Sequence, residues 1–251
     1  FTPEGFRRFA ERIGVSKADS WIDFSVLEEC MRGLRHYTLG VHTAVLDPVK
    51  LVIDNYPQGH EELCEAPNHP QKPEWGKRAV PFSGELWIER EDFVEAPPKG
   101  YFRLFPGNRV RLRYGFVVEC TGCDKDADGN VTAVHCTYLS DSKSGTPGSD
   151  NYKVKGNIHW VSARHAYAAS IRLYDRLFKV PNPGASADYI ADLNPDSKKV
   201  ICAQLEPSLR DAAPEERFQF ERHGYFVADR IDSQPGAPVF NRAVGLKDTW
   251  K

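Results

Sequence analysis

Residues 109–119 read Arg-Val-Arg-Leu-Arg-Tyr-Gly-Phe-Val-Val-Glu. Charged and apolar side chains alternate at the start of this stretch, and in a strand successive side chains point to opposite faces. Val110 and Leu112 therefore fall on one face, and Arg109, Arg111 and Arg113 on the other. The pattern predicts a strand over 109–119 with its apolar face on a core. Runs of the same kind recur on both sides, at 50–53, 78–82, 84–90, 131–139, 152–161, 170–178, 218–227 and 238–241. Prolines punctuate them at 67–73, 97–98, 181–183 and 235–238. Many short strands separated by turn signals predict a mainly β chain built of barrels or sandwiches.

The first 34 residues follow a different period. Thr2 suits a helix cap, Pro3 the first helical position and Glu4 the positive end of the helix. Phe6, Phe9, Ala10 and Ile13 then recur at helical spacing, and Gly14 is the stop. A second helix is expected from Asp23, carrying Phe24, Val26, Leu27 and Met31. The chain opens on this helix without a Met, so it is expected to continue an upstream segment. Prolines at 95–99 and 180–184 bracket a middle block of the size of a small barrel, with the flanking segments forming a second, interrupted barrel.

Composition narrows the function classes. The chain has 251 residues, a formal net charge of -2 and 27% charged residues. No apolar run approaches the roughly 20 residues that span a bilayer, so no membrane partner is expected. The six cysteines are scattered and no secretory signal precedes them, which predicts free thiols in a reducing cytoplasm. A slightly acidic chain can still carry a basic groove, and Arg103, Arg109, Arg111 and Arg113 fall within eleven residues.

Several constellations are weighed against plainer alternatives. Cys120 and Cys123, with His135 and Cys136, have zinc-like spacing. Yet His135 and Cys136 are neighbours in a strand and point apart, so a hairpin with buried thiols is expected and no metal. Asp124, Asp126 and Asp128 open like a calcium loop, but His135 stands where a bidentate Glu is required; Asp128-Gly129 predicts a hairpin turn instead. No phosphate-cradling Gly-rich loop and no nucleophile elbow is present. Side by side, the three arginines form either a solvated face or a binding face for phosphates and base edges, with Tyr101, Phe102, Tyr114 and Phe116 as stacking surfaces. In Phe218-Gln-Phe-Glu-Arg222, Gln219 and Glu221 share the face opposite the phenylalanines and either are solvated or read donor and acceptor edges of a base.

Longer blocks carry a resemblance. LDPVKLVIDNYP (46–57), PNHPQKPEWGKRAVPFSGELWIEREDF (67–93), KVKGNIHWVSA (153–163), IRLYDRLFKVPNPG (171–184), FQFERHGYFVAD (218–229) and PVFNRAVGLKDTW (238–250) resemble, in order, the C-terminal half of bacterial-type glutaminyl-tRNA synthetases. The match runs nearly end to end. It implies two β-barrels, the distal one inserted in the proximal one, behind a short α-helical segment. Residues 1–45 would end the helical connecting domain, 46–95 with 181–251 would form the proximal barrel, and 96–180 the distal barrel.

The resemblance also implies a function. The parent enzyme attaches glutamine to its tRNA with ATP and magnesium, on a catalytic domain upstream whose HIGH-like and KMSKS-like motifs are not found here. This stretch would be catalytically silent, hold no cofactor, and recognise the tRNA anticodon as part of a cytoplasmic monomer. Carried over by motif, Arg103, Arg111 and Arg113 would contact anticodon bases and phosphates, and Gln219, Glu221 and Arg222 would read the middle base and its neighbour. Gln71 would offer an amide where the family has Asn, and Lys247 stands where Arg is frequent. Lys99 joins the tRNA-binding set, and Lys17 would meet the inner face of the tRNA through its backbone. Val41 occupies a position where the family carries an Arg for the middle base; either Arg35 or His42 substitutes, or the middle-base pocket is impaired, and the whole stretch 33–43 is unlike the family. A two-barrel glutamyl-tRNA synthetase, or a stand-alone RNA-binding barrel without activity, are the alternatives.

Overall fold

The structure is a computed structural model and describes residues 1–35, 39–185 and 188–246. It is mainly β behind two helices, as the sequence predicts. The chain packs as two compact units: 41–169 with 202–210, and 1–40 with 170–201 and 211–251. This grouping differs from the proline-marked segments, because 46–95 packs with 96–169 rather than with 181–251. The cause is strand Pro48–Ile53. It pairs antiparallel with Glu85–Glu89 and parallel with Val131–Tyr138, which welds both stretches into one sheet.

That sheet runs in the order Gly156–Ile158, Arg109–Leu112, Val117–Lys125, Val131–Tyr138, Pro48–Ile53, Glu85–Glu89, Val161–Ser162. Its first and last strands are consecutive in the chain, separated only by His159 and Trp160. Two edges joined by two residues force the sheet to curl almost closed, which removes most of its exposed edge. The inward face follows the period of two. In Pro48–Ile53, Val49, Leu51 and Ile53 are buried and their neighbours are not. They meet Phe82, Leu86, Ile88, Leu112, Val134, Ile158 and Trp160 in one core. Trp160 stands edge-on to Phe82 at 5.0 Å and donates its indole N–H to the Arg113 carbonyl at 2.9 Å, so its one polar atom is satisfied.

A separate hairpin, Glu62–Pro67 with Lys77–Phe82, carries Arg78 to a buried ion pair in this unit. Glu206 is buried, and its carboxylate accepts Arg78 Nε at 2.7 Å and Nη2 at 2.9 Å. It also accepts the Thr43 backbone N–H at 2.8 Å, a bond from His42 Nδ1 at 2.8 Å and the Ser208 hydroxyl. The remaining Arg78 nitrogen donates to the Pro67 carbonyl at 3.0 Å. Burial pushes the Glu206 pKa up, but the His42 bond and the Arg78 charge outweigh it and hold the carboxyl far below the ordinary carboxylate range.

In the other unit, Thr2 caps helix Pro3–Ile13 through the Gly5 N–H at 3.2 Å, and Gly14 ends it at φ 71°. Helix Phe24–Arg35 begins where Asp23 accepts the Ser25 N–H at 2.8 Å. The helices touch at Gly5, where an added Cβ would lie 2.1 Å from the Met31 sulfur. Met31 and Leu27 pack on Tyr225 and Val244. Strands Arg217–Phe220, Gly224–Ala228 and Val239–Gly245 run antiparallel in sequence, with Phe220 stacked on Phe226 at 4.2 Å.

Four expectations change. The run 109–119 is two strands, because the chain turns at 113–116: Gly115 N–H bonds the Leu112 carbonyl at 2.8 Å and Tyr114 takes φ 64°. The run 218–227 likewise breaks at 221–223. The run 152–161 is interrupted at His159 and Trp160. Strands Glu62–Pro67 and Lys198–Leu205 were not expected at all.

Replacing Glu206 with Ala leaves Arg78 without its buried counter-ion. The expected loss is about 3–5 kcal/mol, measured by urea unfolding at neutral pH. Because the folded-state pKa is depressed, the Glu206 contribution is full above the ordinary value of 4.5 and fades as pH falls below it. The gap between wild type and Glu206→Ala therefore narrows on acidification.

Candidate nucleic-acid interface

The strand Arg109–Leu112 buries Val110 and Leu112 completely and turns Arg109 and Arg111 outward. Arg113 lies beyond the strand, with its N–H on the Ile158 carbonyl at 2.9 Å. The cost of crowding like charges is relieved in a different way at each arginine. Arg109 Nε bonds Glu119 across the hairpin at 2.6 Å. Arg103 bonds Glu91 at 3.0 Å and the fully buried Asp92 at 2.9 Å. Arg113 Nε donates to the Tyr114 hydroxyl at 3.2 Å, its guanidinium 5.4 Å from that ring.

Among the described residues, Arg111 is held by uncharged oxygens. Nη1 donates to the Ser142 carbonyl at 2.7 Å and Ser144 Oγ at 3.3 Å; Nη2 donates to the Ser149 carbonyl at 3.0 Å and the Tyr152 carbonyl at 3.4 Å. The loop supplying these oxygens is itself pinned to the hairpin. Ser142 Oγ accepts the Val117 N–H at 2.8 Å, and both the N–H and the hydroxyl of Ser144 donate to the Gly115 carbonyl at 2.9 Å. Gly148 passes so close to Asp141 that an added Cβ would lie 2.1 Å from its carbonyl oxygen. A cleft of about 440 Å³ opens here, lined by Arg111, Ser144, Gly145, Ser149, Tyr152 and Lys153, with Asp150 on its wall. A cationic group fixed by neutral dipoles keeps its charge available to an anion or a base edge entering that space.

Ser144, Ser149, Tyr152 and Lys153 were not singled out from sequence. Their only signal is the turn-rich run Ser144-Gly-Thr-Pro-Gly-Ser149, which announces a loop but not what it wraps.

In the other unit, strand Arg217–Phe220 ends before Glu221, so the expected alternation stops there. Glu221 is buried, not on an open face with Gln219. Gln219 is half-buried, with its backbone N–H on the Gly40 carbonyl at 3.0 Å. Arg222 takes φ 67°, a left-handed conformation that favours glycine. Glu221 and Arg222 thus lie in the tight turn that follows the strand holding Gln219. Lys17 sits in this unit on an exposed stretch after the first helix.

Gln71 is exposed in the sheet unit, beside Lys72, whose ammonium lies 4.4 Å over the Trp75 ring. Lys99 is exposed in the proline-marked 95–100 segment. Lys247 lies outside the described residues, as do 36–38 within the atypical 33–43 stretch. Val41 is buried, and His42 is committed to Glu206 and Ser208.

The metal-like runs resolve locally. Asp126 accepts the Asp128 and Asn130 N–H groups at 3.0 and 2.8 Å and closes the expected turn. His135 faces outward, its two nitrogens 2.9 Å from Asp54 and Asp124, and these hydrogen bonds raise its pKa. Cys136 points the other way, into the core.

Two family profiles match the chain. One, described as "tRNA synthetases class I (E and Q), anti-codon binding domain", covers residues 42–139, and a second of the same description covers 157–229. The chain is 67% identical over all 251 residues to the glutamine–tRNA ligase of Cupriavidus metallidurans and 68% to that of Cupriavidus necator, covering 43% of each. It is 57% identical over 252 residues to that of Nitrosomonas europaea, covering 45%. The chain thus spans less than half the length of these relatives.

Arg111→Ala removes four bonds to a charged donor. The 142–152 loop then loses its anchor, and its amides should exchange at least tenfold faster while those of Pro48–Ile53 keep their protection. Global stability should fall by about 2–3 kcal/mol, read by hydrogen exchange and urea unfolding on the same sample.

Proposed function

Because the chain belongs to the anticodon-binding domains of the class I tRNA synthetases for glutamate and glutamine, we propose that it reads the anticodon of a glutamine-accepting tRNA. The observation that carries this reading is Arg111, a guanidinium fixed by neutral oxygens at the wall of an open 440 Å³ cleft. Unpaired anticodon bases can be splayed out and read one at a time, and Arg111 sets a fixed positive charge at the wall of such a cavity. Arg113 adds a second cation next to it. Arg103 supplies a phosphate contact by sharing its guanidinium with Glu91. Gln219, with Glu221 and Arg222 in the turn after it, forms a second reading element, and Gln71, Lys99, Lys17 and Lys247 are peripheral contacts to the same RNA.

The whole protein is proposed to be a glutamine–tRNA ligase. It would activate glutamine with ATP and magnesium on residues upstream of this chain and transfer it to the tRNA, as a cytoplasmic monomer. The name carried by the relatives favours glutamine over glutamate. Residues 1–45 would be the end of the helical segment that leads from the catalytic part to the barrels.

The test is binding of in vitro transcribed glutamine tRNA, beside a transcript with all three anticodon bases changed, across a salt series. The cognate transcript should bind at least tenfold tighter, with affinity falling steeply as salt rises. Arg113→Ala should flatten the slope of log affinity against log salt by about 0.7, the share of one single-strand phosphate contact. Gln219→Ala should leave the slope and shrink the anticodon preference. Equal affinity for both transcripts would overturn the reading.

A further inference from the structure

Cys120 and Cys136 are direct partners across the hairpin formed by Val117–Lys125 and Val131–Tyr138. The ladder bonds say which kind of pair they form. Leu139 donates to the Val117 carbonyl at 3.0 Å, and bonded and non-bonded pairs alternate along an antiparallel ladder. Three steps along from Val117, Cys120 therefore faces Cys136 in a non-bonded pair. The other backbone contacts agree: Cys120 N–H bonds Asn108 at 3.0 Å, its carbonyl accepts Gly107 at 2.8 Å, and the Cys136 carbonyl accepts Asp54 at 2.9 Å. Both backbones bond away from each other. Non-bonded partners have Cα atoms about 4.5 Å apart, inside the range of roughly 4.4–6.8 Å that a disulfide spans. Both side chains point into the same core and are free thiols.

We propose that Cys120 and Cys136 are a peroxide-oxidisable dithiol, which closes to a cross-strand disulfide with the backbone left in place. The thiols are not equivalent. The hydrogen bond from the Cys136 thiol lowers the pKa of Cys120, while the same contact, together with burial, raises that of Cys136. Cys120 also borders the bulge that ends the regular ladder, and is assigned the nucleophile. Its thiolate attacks one oxygen of hydrogen peroxide, the O–O bond breaks and hydroxide leaves, giving a sulfenic acid. The Cys136 sulfur then attacks the sulfenic sulfur. The S–S bond forms as the S–O bond breaks, and the departing hydroxide takes up a proton. Overall, two thiols and one peroxide give one disulfide and two waters. Cys123 is the more exposed thiol of this hairpin, one bulge away on the same core, and is the competing site.

The full-length protein carrying this chain is treated with hydrogen peroxide under native conditions, alkylated and digested without reductant. The expected product is a peptide pair joined through Cys120 and Cys136, 2 Da lighter than the two thiol peptides and released by dithiothreitol, with a thermal midpoint raised by about 5 °C. Cys123→Ser should give the same linked pair. Cys136→Ser should stop at a Cys120 sulfenic acid that dimedone captures. A link between Cys120 and Cys123, or oxidation confined to Cys123 and Cys202 in wild type and the Cys123→Ser protein, would overturn the proposal.

Discussion

The carboxylate of Glu206 gathers parts of the sheet unit that the chain order keeps far apart. Arg78 comes from the outlying hairpin, Thr43 and His42 from the strand region before the sheet, and Ser208 from the return segment that carries Glu206 itself. A buried ion pair is a poor source of net stability, since removing two charges from water costs about what their attraction returns. Its value here is selectivity. Five donors converge on two oxygens, and only one arrangement of three chain segments lets them do so. The apolar core would tolerate small slides of the hairpin against the sheet; the forked Arg78 contact does not.

The same logic shapes the arginine face. A row of like charges on one strand is tolerated because each guanidinium has its own way of being held. Arg109 is tied to Glu119 at the surface, where ion pairs contribute about 0–1 kcal/mol, while Arg103 also holds the buried Asp92. Arg111 is instead embedded in carbonyl and hydroxyl dipoles. That difference separates cations that can be borrowed by a passing phosphate from one that is preset in position and need not reorganise when a base arrives.

Much of this was legible in the sequence, and the failures have physical causes. The helices, their caps and the inward alternation of Pro48–Ile53 followed from local chemistry. Two turns were hidden inside strand-like runs because Tyr114 and Arg222 adopt a left-handed backbone that their residue types do not advertise. Glu62–Pro67 escaped notice because its outward face carries the apolar Leu63, and Lys198–Leu205 because its first half is exposed and does not alternate. At the candidate site, Arg111 stood out by its pattern, but its oxygens come from a loop more than thirty residues on. Glu206 gave no local signal at all, since Arg78 and Thr43 lie 128 and 163 residues away. The grouping into packed units is hidden from the sequence for the same reason. A parallel pairing between Pro48–Ile53 and Val131–Tyr138 leaves no mark in either segment.

That parallel pairing also orders events during synthesis. A ribosome delivers the chain from its N-terminus, and Pro48–Ile53 can pair with Glu85–Glu89 soon after both emerge. Its other edge waits for the 131–138 strand, and the sheet cannot curl shut until His159 and Trp160 have passed. Contacts between distant segments form slowly, because the chain between them must first be brought to heel. For that interval the nascent unit presents an unpaired strand edge and, on its outlying hairpin, an Arg78 whose counter-ion has not been made. The last residues of the unit to leave the ribosome are the ones that neutralise it, so a chain truncated before position 206 holds all seven strands of the curled sheet but leaves Arg78 without its buried partner.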